Sequence, residues 1–523
     1  MGVYLNPGND KFRRIINSEI YIDKTGLILY TNKVLDTQQQ NICVSRPRRF
    51  GKSMAANMLA AYYSRECESK ELFKGLKIYE DKNFEKYLNK YDTIFLDMQE
   101  FLSQTENMTE MIELIRKSVL WELTAKYDDI RYFDNSNLTR SLQDIYLNTK
   151  IPFVIIIDEW DYIFREYKNN IDEQRKYLDF LRDLLKDKSY IHLAYMTGIL
   201  PIKKYGTHSA LNMFSEFSMT NPRQLTSYVG FTEDEVNELS ERYNISLSDL
   251  KEWYDGYHFG ENETIYSPKS VVEAVTSGIC DTYWNQTETF EALKMYIELN
   301  IDGLKDAVIS MMSGEKIPVN TATFANDMTT FCTKDDVLTL LIHLGYLGYD
   351  FQAKCVYIPN REVMTEYVNA ISLSQWGGIS VALKNSNEIL EAIWQNKPEK
   401  VASGIEQAHF ETSHIQYNDE NALSYTISLA LYTARNYYTV IREMPTGKGF
   451  ADMVYIPKKR FADKPAIVME LKWNKKAEGA IKQIKEKHYS EQIKAFSGEI
   501  LLVGINYDKK TKKHKCIIEK YQK

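Results

Sequence analysis

The chain has 523 residues, of which 44% are hydrophobic and 26% are charged, and its formal net charge is −7. This length exceeds what one hydrophobic core organises, and it predicts about two to four domains. No run of roughly 18 apolar residues without charges occurs, so we expect no membrane-spanning helix and no membrane partner. The chain also begins without a basic segment followed by an apolar run, which argues against a secretion signal.

The six cysteines are scattered along the sequence, at positions 43, 67, 280, 332, 355 and 516. Without short paired spacings they favour neither a zinc site nor a disulfide framework, and we expect a reducing, cytoplasmic location. Charge is distributed unevenly: residues 457–523 hold 18 Lys and Arg against 8 Asp and Glu, a net of +10 against −17 for the rest. A basic end is typical of nucleic-acid contact, although a solvated lysine-rich surface is the simpler explanation of the count alone.

The first motif is an apolar run, residues 41–45, that leads into Arg46-Pro-Arg-Arg-Phe-Gly-Lys-Ser53 and then a helical pattern to Tyr63. A loop between a strand and a helix aims backbone N–H groups and the positive helix end at a polyphosphate. In such a loop Lys52 reaches the β and γ phosphates, and the Ser53 hydroxyl takes one position on Mg²⁺. The sequence therefore predicts a phosphate-binding loop that includes Gly51.

This loop departs from the pattern G-x-x-x-x-G-K-[ST] at its first position, where Arg46 replaces glycine. Glycine adopts positive φ at the least steric cost, so we expect the turn to be made differently here. Arg46, Arg48 and Arg49 are candidates for phosphate contact, either within the subunit or across an interface between subunits.

A second element completes the nucleotide site. The uninterrupted apolar run of residues 152–157 predicts a strand that is buried on both faces of a parallel sheet, and Asp158 and Glu159 follow it. A nucleotide hydrolase needs one carboxylate near Mg²⁺ and a second one that orients or deprotonates the attacking water. We assign the first role to Asp158 and the second to Glu159.

Weaker candidates follow along the chain. Residues 191–198 predict a third core strand, and Thr197 at its end either senses the γ phosphate or is an ordinary strand-end threonine. Thr232 and Glu235 have the spacing of a capping box at a helix start. Arg223 is a weak candidate for phosphate contact. The aromatic segment 253–260 is either a lid over the nucleotide or, more commonly for such a turn, a packed corner.

Several motifs occur in a fixed order: YIDKT, SRPRRFGKS, VIIIDEWD, YMTGI, GFTEDEV and WYDGYHFG. Together they resemble the bacterial and archaeal AAA-ATPase-like family, whose members commonly carry a C-terminal nuclease-like domain. The loop of that family also carries residues like RPRRFGKS, so Arg46 agrees with the resemblance. The resemblance implies a P-loop domain over residues 1–265, with ATP bound and hydrolysed at Lys52, Ser53, Asp158 and Glu159, and with Arg48, Arg49 and Gly51 in the cofactor site.

The middle range, residues 266–380, shows helical patterns followed by a helix, a glycine stop at Gly345 and a short hairpin near residues 346–359. This order is similar to a winged helix. Winged helices often contact DNA, but this range has few basic residues, and structural coupling between the end domains is the alternative.

The third range, residues 381–523, predicts a helix near 421–436 and then strands at 437–443, 450–456 and 466–471. A long charged helix over 476–496 precedes a last strand at 500–505. Tight turns between the early strands favour an antiparallel meander flanked by helices.

Asp452 and the segment Glu470-Leu-Lys472 carry the chemistry of this range. Residues i and i+2 of a strand point to one face, so Glu470 and Lys472 project together while Leu471 faces a core. Two carboxylates can hold Mg²⁺ against a phosphate oxygen, and a lysine can orient the attacking water. The alternative is a surface Glu–Lys pair of the kind that occurs by chance.

This set resembles the PD-(D/E)XK nuclease superfamily, which implies an α/β restriction-endonuclease-like fold with Asp452, Glu470 and Lys472 as its core triad. Glu420 and Gln483 match accessory positions of that superfamily. Alanine precedes Asp452 where relatives carry Arg or Ser.

The sequence thus predicts an α/β enzyme with ATP and Mg²⁺ as cofactors: a P-loop ATPase that controls a metal-dependent nuclease. The expected partner is nucleic acid, with DNA the first candidate, and a homo-oligomer is left open. The alternative function is a nucleotide-switched signalling or scaffold ATPase whose C-terminal domain only binds a partner.

Overall fold

The computed structural model describes residues 2–202, 211–259, 263–284, 290–299, 301–325, 328, 331–372, 377–411, 420–446, 449–458, 461–486 and 498–521. The chain divides into two compact units. The first unit comprises Met1–Thr287 and Lys316–Val363, and the second comprises Glu288–Glu315 and Met364–Lys523. The predicted middle range, residues 266–380, contributes to both units, and the division into three domains stays a prediction.

The strands of the described residues fall into four sheets. In chain order they are β1 (Asn41–Ser45), β2 (Asp92–Asp97), β3 (Phe153–Asp158), β4 (Ile191–Gly198), β5 (Ser215–Phe217), β6 (Phe231–Thr232), β7 (Tyr257–His258), β8 (Thr264–Tyr266), β9 (Ile317–Pro318), β10 (Gly348–Asp350), β11 (Cys355–Tyr357), β12 (Tyr438–Thr446), β13 (Gly449–Pro457), β14 (Ala466–Trp473), β15 (Ile500–Asp508) and β16 (Lys513–Lys520).

The helices alternate with these strands in the first unit and cluster on the sheet faces in the second. In chain order they are α1 (Asp10–Ile16), α2 (Gly26–Val34), α3 (Lys52–Tyr63), α4 (Lys70–Phe73), α5 (Phe84–Tyr87), α6 (Met98–Ser103), α7 (Met108–Lys126), α8 (Leu138–Thr149), α9 (Tyr162–Glu166), α10 (Ile171–Leu185), α11 (Glu233–Tyr243), α12 (Leu247–Tyr254), α13 (Pro268–Ser277), α14 (Phe290–Ile297), α15 (Leu304–Met312), α16 (Lys334–Leu344), α17 (Arg361–Ser372), α18 (Gly377–Trp394), α19 (Pro398–Glu411), α20 (Glu420–Ala430) and α21 (Ala477–Glu486).

The central sheet of the first unit is five-stranded and parallel, in the order β2-β3-β4-β1-β5. Every residue of β3 is buried, as its uninterrupted apolar run predicts. The chain leaves β1 toward β2 on one side and leaves β4 toward β5 on the other. Ligands of open parallel sheets bind at such a switch point, outside the carboxyl ends of the strands. The fold therefore places the ends of β1 and β4, with β3 next to them, at the expected site.

The helical middle is confirmed, and its described elements include the predicted helix, stop and hairpin. α16 is followed by Gly345, whose φ of +89 lies in the left-handed region that glycine adopts at the least steric cost. β10 and β11 form an antiparallel hairpin with β9 on its other edge. The comparison with a winged helix stays an interpretation.

The second unit contains a five-stranded mixed sheet in the order β12-β13-β14-β15-β16. β12, β13 and β14 pair antiparallel, as predicted. β15, for which the sequence predicted no pairing, pairs parallel with β14, and α21 provides the crossover that parallel neighbours require. Of the predicted helix 476–496, residues 487–497 lie outside the described part of the chain.

The prediction that residues 500–505 form the last strand is wrong, because β16 follows and pairs antiparallel with β15. Along β16 the exposed Lys513 and Lys515 alternate with the buried His514 and Cys516. This alternation of period two is typical of a strand with one buried face. The lysines on its other face make the segment resemble a solvated tail in the sequence.

Candidate nucleotide and nuclease sites

The loop between β1 and α3 makes its turn at two left-handed residues, Arg49 (φ +67) and Gly51 (φ +92). Gly51 is the N-cap of α3, so the amide groups of the first helical turn face the loop. Arg46 is not among the residues with positive φ. The loop therefore needs no glycine at its first position, which explains how it tolerates arginine there.

Arg46 is fully buried beneath the loop. Its backbone N–H donates to the Gly198 carbonyl at 3.0 Å, and its guanidinium Nη1 donates to the carbonyls of Ser45 (2.9 Å) and Phe217 (3.1 Å). Burial lowers the pKa of Arg46 to about 10. The side chain thus stabilises the loop from inside the sheet, at β1 and β5, and does not line the cavity beside the loop.

Lys52 begins α3 and is 4% exposed. Its Nζ donates to the Pro47 carbonyl of the same loop at 3.1 Å. Burial lowers the pKa of Lys52, and the carboxylates of Glu159, Asp161 and Asp158 act in the opposite direction. The ammonium group therefore lies among three acids, with its hydrogen bond made to the loop itself.

Ser53 and Asp158 meet at the foot of this loop. Burial raises the pKa of Asp158 to about 6, and a hydrogen bond with the Ser53 side chain opposes that rise. The other contact of this carboxylate is with the Glu159 backbone N–H, which donates to Oδ1 at 3.0 Å. A hydroxyl and a carboxylate in contact, close to a lysine, are the oxygen ligands that Mg²⁺ prefers beside phosphates.

Glu159 lies directly after β3 in a left-handed conformation, with φ +51. Its carboxylate accepts a hydrogen bond from Nη2 of Arg165, which is 8% exposed at the side chain, and it also lines the cavity beside the loop. A left-handed non-glycine residue costs on the order of 1 kcal/mol or more and persists where the surroundings impose it. The turn thus directs this carboxylate toward Arg165.

Asp161 connects the ends of β3 and β4. Its carboxylate is fully buried and accepts the backbone N–H groups of Ile199 (3.1 Å) and Leu200 (2.9 Å), and Arg165 Nε lies 3.7 Å away. A side chain at Gly198 would place its Cβ 2.4 Å from the Asp161 carboxylate and 2.7 Å from Trp160. The absence of a side chain at residue 198 therefore lets the two acidic strand ends pack together.

Thr197 is fully buried at the end of β4, beside Val44 of β1. Its hydroxyl has no hydrogen-bond partner among the described residues. The contact with a γ phosphate stays a prediction.

A cavity of about 500 Å³ opens beside the loop. Gly51, Lys52, Ser53 and Glu159 line one side of it. The rest is mainly apolar and comes from segments far apart in sequence: Phe12, Ile15, Ile20, Ile22, Met54, Met58, Phe231, Pro268 and Val272. A polar phosphate end joined to an apolar pocket matches the two halves of a nucleotide.

Arg48 and Arg49 both border this cavity, but Arg49 also faces the back of the loop. Its Nη1 donates to the carbonyls of Tyr283 (2.8 Å) and Trp284 (3.2 Å). Burial lowers the pKa of Arg48, as does the neighbouring Arg165. The binding of a nucleotide by these two arginines stays a prediction.

The aromatic segment 253–259 forms a packed corner rather than a lid over the cavity. Tyr257 packs edge-on against Phe50 of the loop, and its hydroxyl donates to the Gly345 carbonyl at 2.7 Å. At Gly256 a Cβ would lie 2.0 Å from the Pro359 carbonyl oxygen. The corner therefore supports the phosphate loop from behind.

Arg223 does not lie at the phosphate loop. It is exposed, donates from Nε to Asn221 Oδ1 at 3.1 Å, and lines a separate cavity with Phe259 and Phe351. The hypothesis that it contacts phosphates in this site was wrong for the described arrangement. The capping box of Thr232 and Glu235, in contrast, is present at the start of α11.

In the second unit, Asp452 of β13 lies next to the end of β14. Its Oδ2 accepts the backbone N–H of Leu471 at 2.7 Å. The register Met453↔Met469 places Asp452 beside Glu470, on the same face of the sheet. Met469 and Leu471 lie in the core on the opposite face, as the strand alternation predicts.

Glu470 is fully buried. Its Oε1 accepts a hydrogen bond from Gln483 Nε2 at 2.6 Å, and its Oε2 lies 3.6 Å from Lys472 Nζ. The Lys472 side chain is 12% exposed. A buried charge persists only where partners satisfy it, so this trio is a built arrangement rather than a surface pair.

Close packing of α21 on the sheet places Gln483 within hydrogen-bonding distance of Glu470. Gly504 lies opposite Glu470 on β15, and a Cβ at Gly504 would lie 2.9 Å from the Ala477 carbonyl oxygen and 3.1 Å from the Ala480 Cβ. Glu420 begins α20, and its side chain lies outside the described part of the chain.

Both sites fit Mg²⁺ by their donor sets. Among the described residues no group of three or more His, Cys, Asp or Glu side chains could enclose a metal ion. Magnesium is usually held by one or two carboxylates, with waters and substrate phosphates in the remaining positions. Ser53 with Asp158, and Asp452 with Glu470, are donor sets of this kind.

The fold and these sites define a P-loop ATPase-like unit joined in one chain to a nuclease-like mixed-sheet unit. Residues 7–207 match the family described as predicted AAA-ATPase, and residues 420–516 match the PD-(D/E)XK nuclease superfamily, so the chain carries an AAA-ATPase-like domain and a PD-(D/E)XK superfamily domain. The predicted resemblance is confirmed.

The chain is also similar to an uncharacterized protein in the vnfD 5′ region of Azotobacter chroococcum, with 22% identity over 280 residues. That match covers 51% of each chain, so the chain spans about half the length of this curated relative. Among solved structures, the Walker-type ATPase of Pyrococcus abyssi matches with 12% identity and a TM-score of 0.35, covering 66% of this chain and 94% of the other. The ORC2 protein of Aeropyrum pernix matches with 11% identity and a TM-score of 0.28, covering 82% and 91%.

Two features of the sites were missed from the sequence. The Arg165 contact with Glu159 has one local signal, the i,i+4 spacing of Asp161 and Arg165 on one helical turn. The apolar cavity has no such signal, because its walls meet only in the folded chain. In the part of the chain that the structure describes, no helix combines the length and apolarity needed to cross a bilayer.

Proposed function

We propose that this protein binds and hydrolyses ATP in its first unit and that the nucleotide state controls Mg²⁺-dependent cleavage of phosphodiester bonds in its second unit. The observation that carries the proposal is the buried Glu470 carboxylate, held by Gln483 and Lys472 beside Asp452, in a chain that also has a nucleotide-sized cavity at a phosphate loop. Two adjacent carboxylates and a lysine on one face of the sheet are the groups that metal-dependent cleavage of a phosphodiester requires.

In the nucleotide site the base and ribose enter the apolar part of the cavity, and the phosphates lie over the N-terminus of α3. Lys52 exchanges its bond with the Pro47 carbonyl for the β and γ phosphate oxygens. Ser53 and Asp158 would hold a bound Mg²⁺ ion, which would supply positive charge against the phosphates. Glu159 accepts the proton of the attacking water.

In the nuclease site, Asp452 and Glu470 would hold a bound Mg²⁺ ion, which would supply positive charge against the scissile phosphate. Gln483 fixes the Glu470 carboxylate in one rotamer, because its amide occupies Oε1. Lys472 projects from the same face of β14 and orients the water that attacks phosphorus. The Leu471 N–H holds Asp452 at the strand end, so the two carboxylates stay adjacent.

We further propose DNA as the first substrate to test and the cytoplasm as the site of action. All six cysteines are free thiols, which supports a reducing compartment. Arg48 borders the cavity within its own subunit. A homo-oligomer in which a second copy adds cations to the site stays a prediction.

The test compares the parent chain with Lys52→Ala and Asp452→Ala. ATP binding is measured by titration of a fluorescent ATP analogue, and cleavage of labelled single- and double-stranded DNA and RNA is measured with Mg²⁺, with and without ATP. We expect Asp452→Ala to bind ATP and lose cleavage. We expect Lys52→Ala to lose ATP binding and to cleave at a rate that no longer responds to ATP.

An exposed lysine on α2 provides the control, because Lys33→Ala removes the same charge outside both sites. Cleavage that survives Asp452→Ala would place the nuclease elsewhere or in a contaminant. Tight ATP binding without cleavage of any substrate would favour the signalling or scaffold ATPase.

A further inference from the structure

Two loops of the second unit lie side by side at one edge of the mixed sheet, the edge formed by the carboxyl ends of β14 and β15. The first, residues 474–476, follows β14, and the second, residues 509–512, follows β15. Because β14 and β15 are parallel neighbours, their carboxyl ends, and therefore these loops, lie at the same edge. Lys472, in the register pair with Asn506, lies at this edge as well.

Hydrogen bonds tie the two loops together. The Asn474 N–H donates to the Tyr507 carbonyl at 2.8 Å, and its side-chain Oδ1 accepts the Lys509 N–H at 2.9 Å. Asn506 Nδ2 donates to the Lys475 carbonyl at 2.9 Å. The second loop is itself fixed by the Asp508 carboxylate, which accepts the N–H of Lys510 at 2.8 Å. The loops therefore form one ordered surface.

This surface carries six exposed lysines, and we call it the lysine platform: Lys475, Lys476, Lys509, Lys510, Lys512 and Lys513. Among the described residues, none of the six forms an ion pair within 4.0 Å. Other lysines of the second unit are paired, since Lys485 of α21 contacts Glu519, and Lys515 and Lys520 of β16 contact Glu478 and Glu499. A merely solvated basic surface gives no reason for this division.

We propose that the lysine platform binds the phosphodiester backbone of duplex nucleic acid and presents it to the carboxylates at the end of β14. This inference rests on the proposed nuclease function and names the surface that holds its substrate. Like charges on one surface repel unless an anion lies between them, and regularly spaced phosphates are such an anion. Lysine serves this role as a compact point charge that contacts phosphate without reading sequence.

The composition of the platform favours a duplex over a single strand. Proteins that bind single strands combine a basic groove with aromatic side chains on which bases stack. The two loops contain only Asn, Lys, Asp and Thr over residues 474–476 and 508–513. The aromatic residues directly before the two loops, Trp473 and Tyr507, contact each other with ring centroids 4.8 Å apart and planes tilted by 38°, and Tyr507 is buried. The platform therefore offers charge without a stacking surface.

The test measures binding of the full chain to a labelled duplex DNA and to a single strand of the same length, in EDTA so that no cleavage occurs. The platform variant carries Lys475→Gln, Lys509→Gln and Lys510→Gln. The matched control carries Lys485→Gln, Lys515→Gln and Lys520→Gln, which changes net charge equally within the same unit, on α21 and β16. A charge-preserving variant replaces the three platform lysines with arginine.

For duplex DNA the logarithm of the binding constant falls linearly with the logarithm of salt concentration, by about 0.9 per neutralised phosphate. We expect the platform variant to lower this slope by about 2 to 3 and to weaken binding more than about tenfold at low salt. The control triple should change the slope by less than about 0.5, and the arginine variant should bind like the parent.

Equal losses in the platform and control triples would overturn the proposal, since net charge alone would then explain binding. Stronger binding to the single strand than to the duplex would overturn its choice of substrate. Binding of duplex with the expected variant pattern, combined with no cleavage when Mg²⁺ replaces EDTA, would leave the platform in place and reject the nuclease function.

Discussion

The two candidate sites hold their reactive groups in different ways. In the first unit, Lys52 is bound to the Pro47 carbonyl and Glu159 to Arg165, so the groups assigned to phosphate and water are engaged by the protein itself. In the second unit, the Asp452 carboxylate accepts a hydrogen bond from the Leu471 N–H, and the Glu470 carboxylate accepts one from Gln483. Those partners orient the carboxylates and leave their remaining lone pairs for a metal ion.

The charge inventories differ in the same sense. The cations Arg48, Lys52 and Arg165 of the first site face three carboxylates, Asp158, Glu159 and Asp161. A polyphosphate entering this balanced site has to displace internal partners. The second site has two carboxylates and Lys472, and beside it lie the six exposed lysines of the platform, none of which forms an ion pair within 4.0 Å in the part of the chain that the structure describes.

This difference indicates what each site can do when its ligand binds. A site that exchanges internal contacts for ligand contacts changes its conformation as the ligand binds, which is the property of a switch. A site whose carboxylates are already oriented needs only its substrate and metal, which is the property of preorganised chemistry.

The first prediction concerns Glu159→Gln. The amide cannot accept a proton, and a positioned general base contributes about 10² to 10⁴-fold to rate. We therefore expect ATP hydrolysis to fall by about 10²-fold or more while ATP binding changes less than about threefold. Phosphate release and analogue titration measure the two quantities. Glu166→Gln, seven residues further on, is the control, and a hydrolysis rate that survives Glu159→Gln would remove Glu159 from its assigned role.

The second prediction concerns Arg165→Met, which keeps side-chain length and removes charge. It leaves the fully buried Asp161 and the largely buried Glu159 without their cation. Breaking a buried ion pair costs about 3 to 5 kcal/mol. We expect the amides of β3 and β4 to lose hydrogen-exchange protection by an amount in this range.

Arg116→Met is the matched control for this change, because Arg116 pairs with Glu113 at 2.9 Å and the two side chains are 38% and 50% exposed. An exposed pair contributes about 1 kcal/mol or less. Similar losses in the two variants would show that Arg165 is a surface contact, and the switch-like description of the first site would fail.

Much of the fold is predictable from local sequence. The strands at 41–45 and 191–198 have the predicted bounds, since each is an apolar run between polar segments. The capping box at Thr232 begins α11 as its spacing indicates, because that contact spans only three residues. Local signals of this kind need no knowledge of the rest of the chain.

The rest depends on contacts between distant residues. Asp161 reaches the amides after β4 only because β3 and β4 are neighbours and residue 198 lacks a side chain. The platform loops are more than 30 residues apart and meet because β14 and β15 pair in parallel, a pairing that no local pattern in the sequence indicates. The roles of Asp452, Glu470 and Lys472 were predicted from spacing, but the hold of Gln483 on Glu470 comes from helix packing.

The third prediction is that the two units respond to acid in opposite directions. His409 and His514 form a buried pair, with Nδ1 and Nε2 3.2 Å apart, and burial lowers the pKa of His409 to about 4 and that of His514 to about 3. A histidine whose pKa is lowered in the folded state contributes its full stabilisation of the fold above about pH 6.5. That contribution is lost as the pH falls toward the folded-state pKa. A shift from 6.5 to about 4 corresponds to about 3 kcal/mol.

Asp158 has the reverse sign, because burial raises its pKa to about 6. Its folded form favours the proton, so its contribution to stability is greatest below about pH 4 and is lost as the pH rises to 6. Hydrogen exchange from pH 6 to 4, corrected for intrinsic rates, should show protection falling in β16 and not in β3. His514→Leu should flatten the response of β16, whereas His258→Gln, an exposed histidine, should not. A parallel decline in both strands would contradict the assignment.

The smallest effect is expected from one methyl group at Gly504. Its Cβ would lie 2.9 Å from the Ala477 carbonyl oxygen, so Gly504→Ala pushes α21 away from the sheet at a cost of about 2 kcal/mol. Because α21 carries Gln483, the Glu470 carboxylate loses its fixed partner. We expect nucleic-acid cleavage to fall more than ATP hydrolysis, which should stay at the parent level.

Gly479→Ala is the control on the same helix, since a Cβ there meets nothing within 4 Å. Alanine in a helix is favoured over glycine by up to about 1 kcal/mol, so this variant should be at least as stable as the parent and cleave equally well. If Gly504→Ala cleaved like Gly479→Ala, the orientation of Glu470 by Gln483 would not limit the reaction. The second site would then be less preorganised than its hydrogen bonds indicate, and its contrast with the first site would rest on the lysine platform alone.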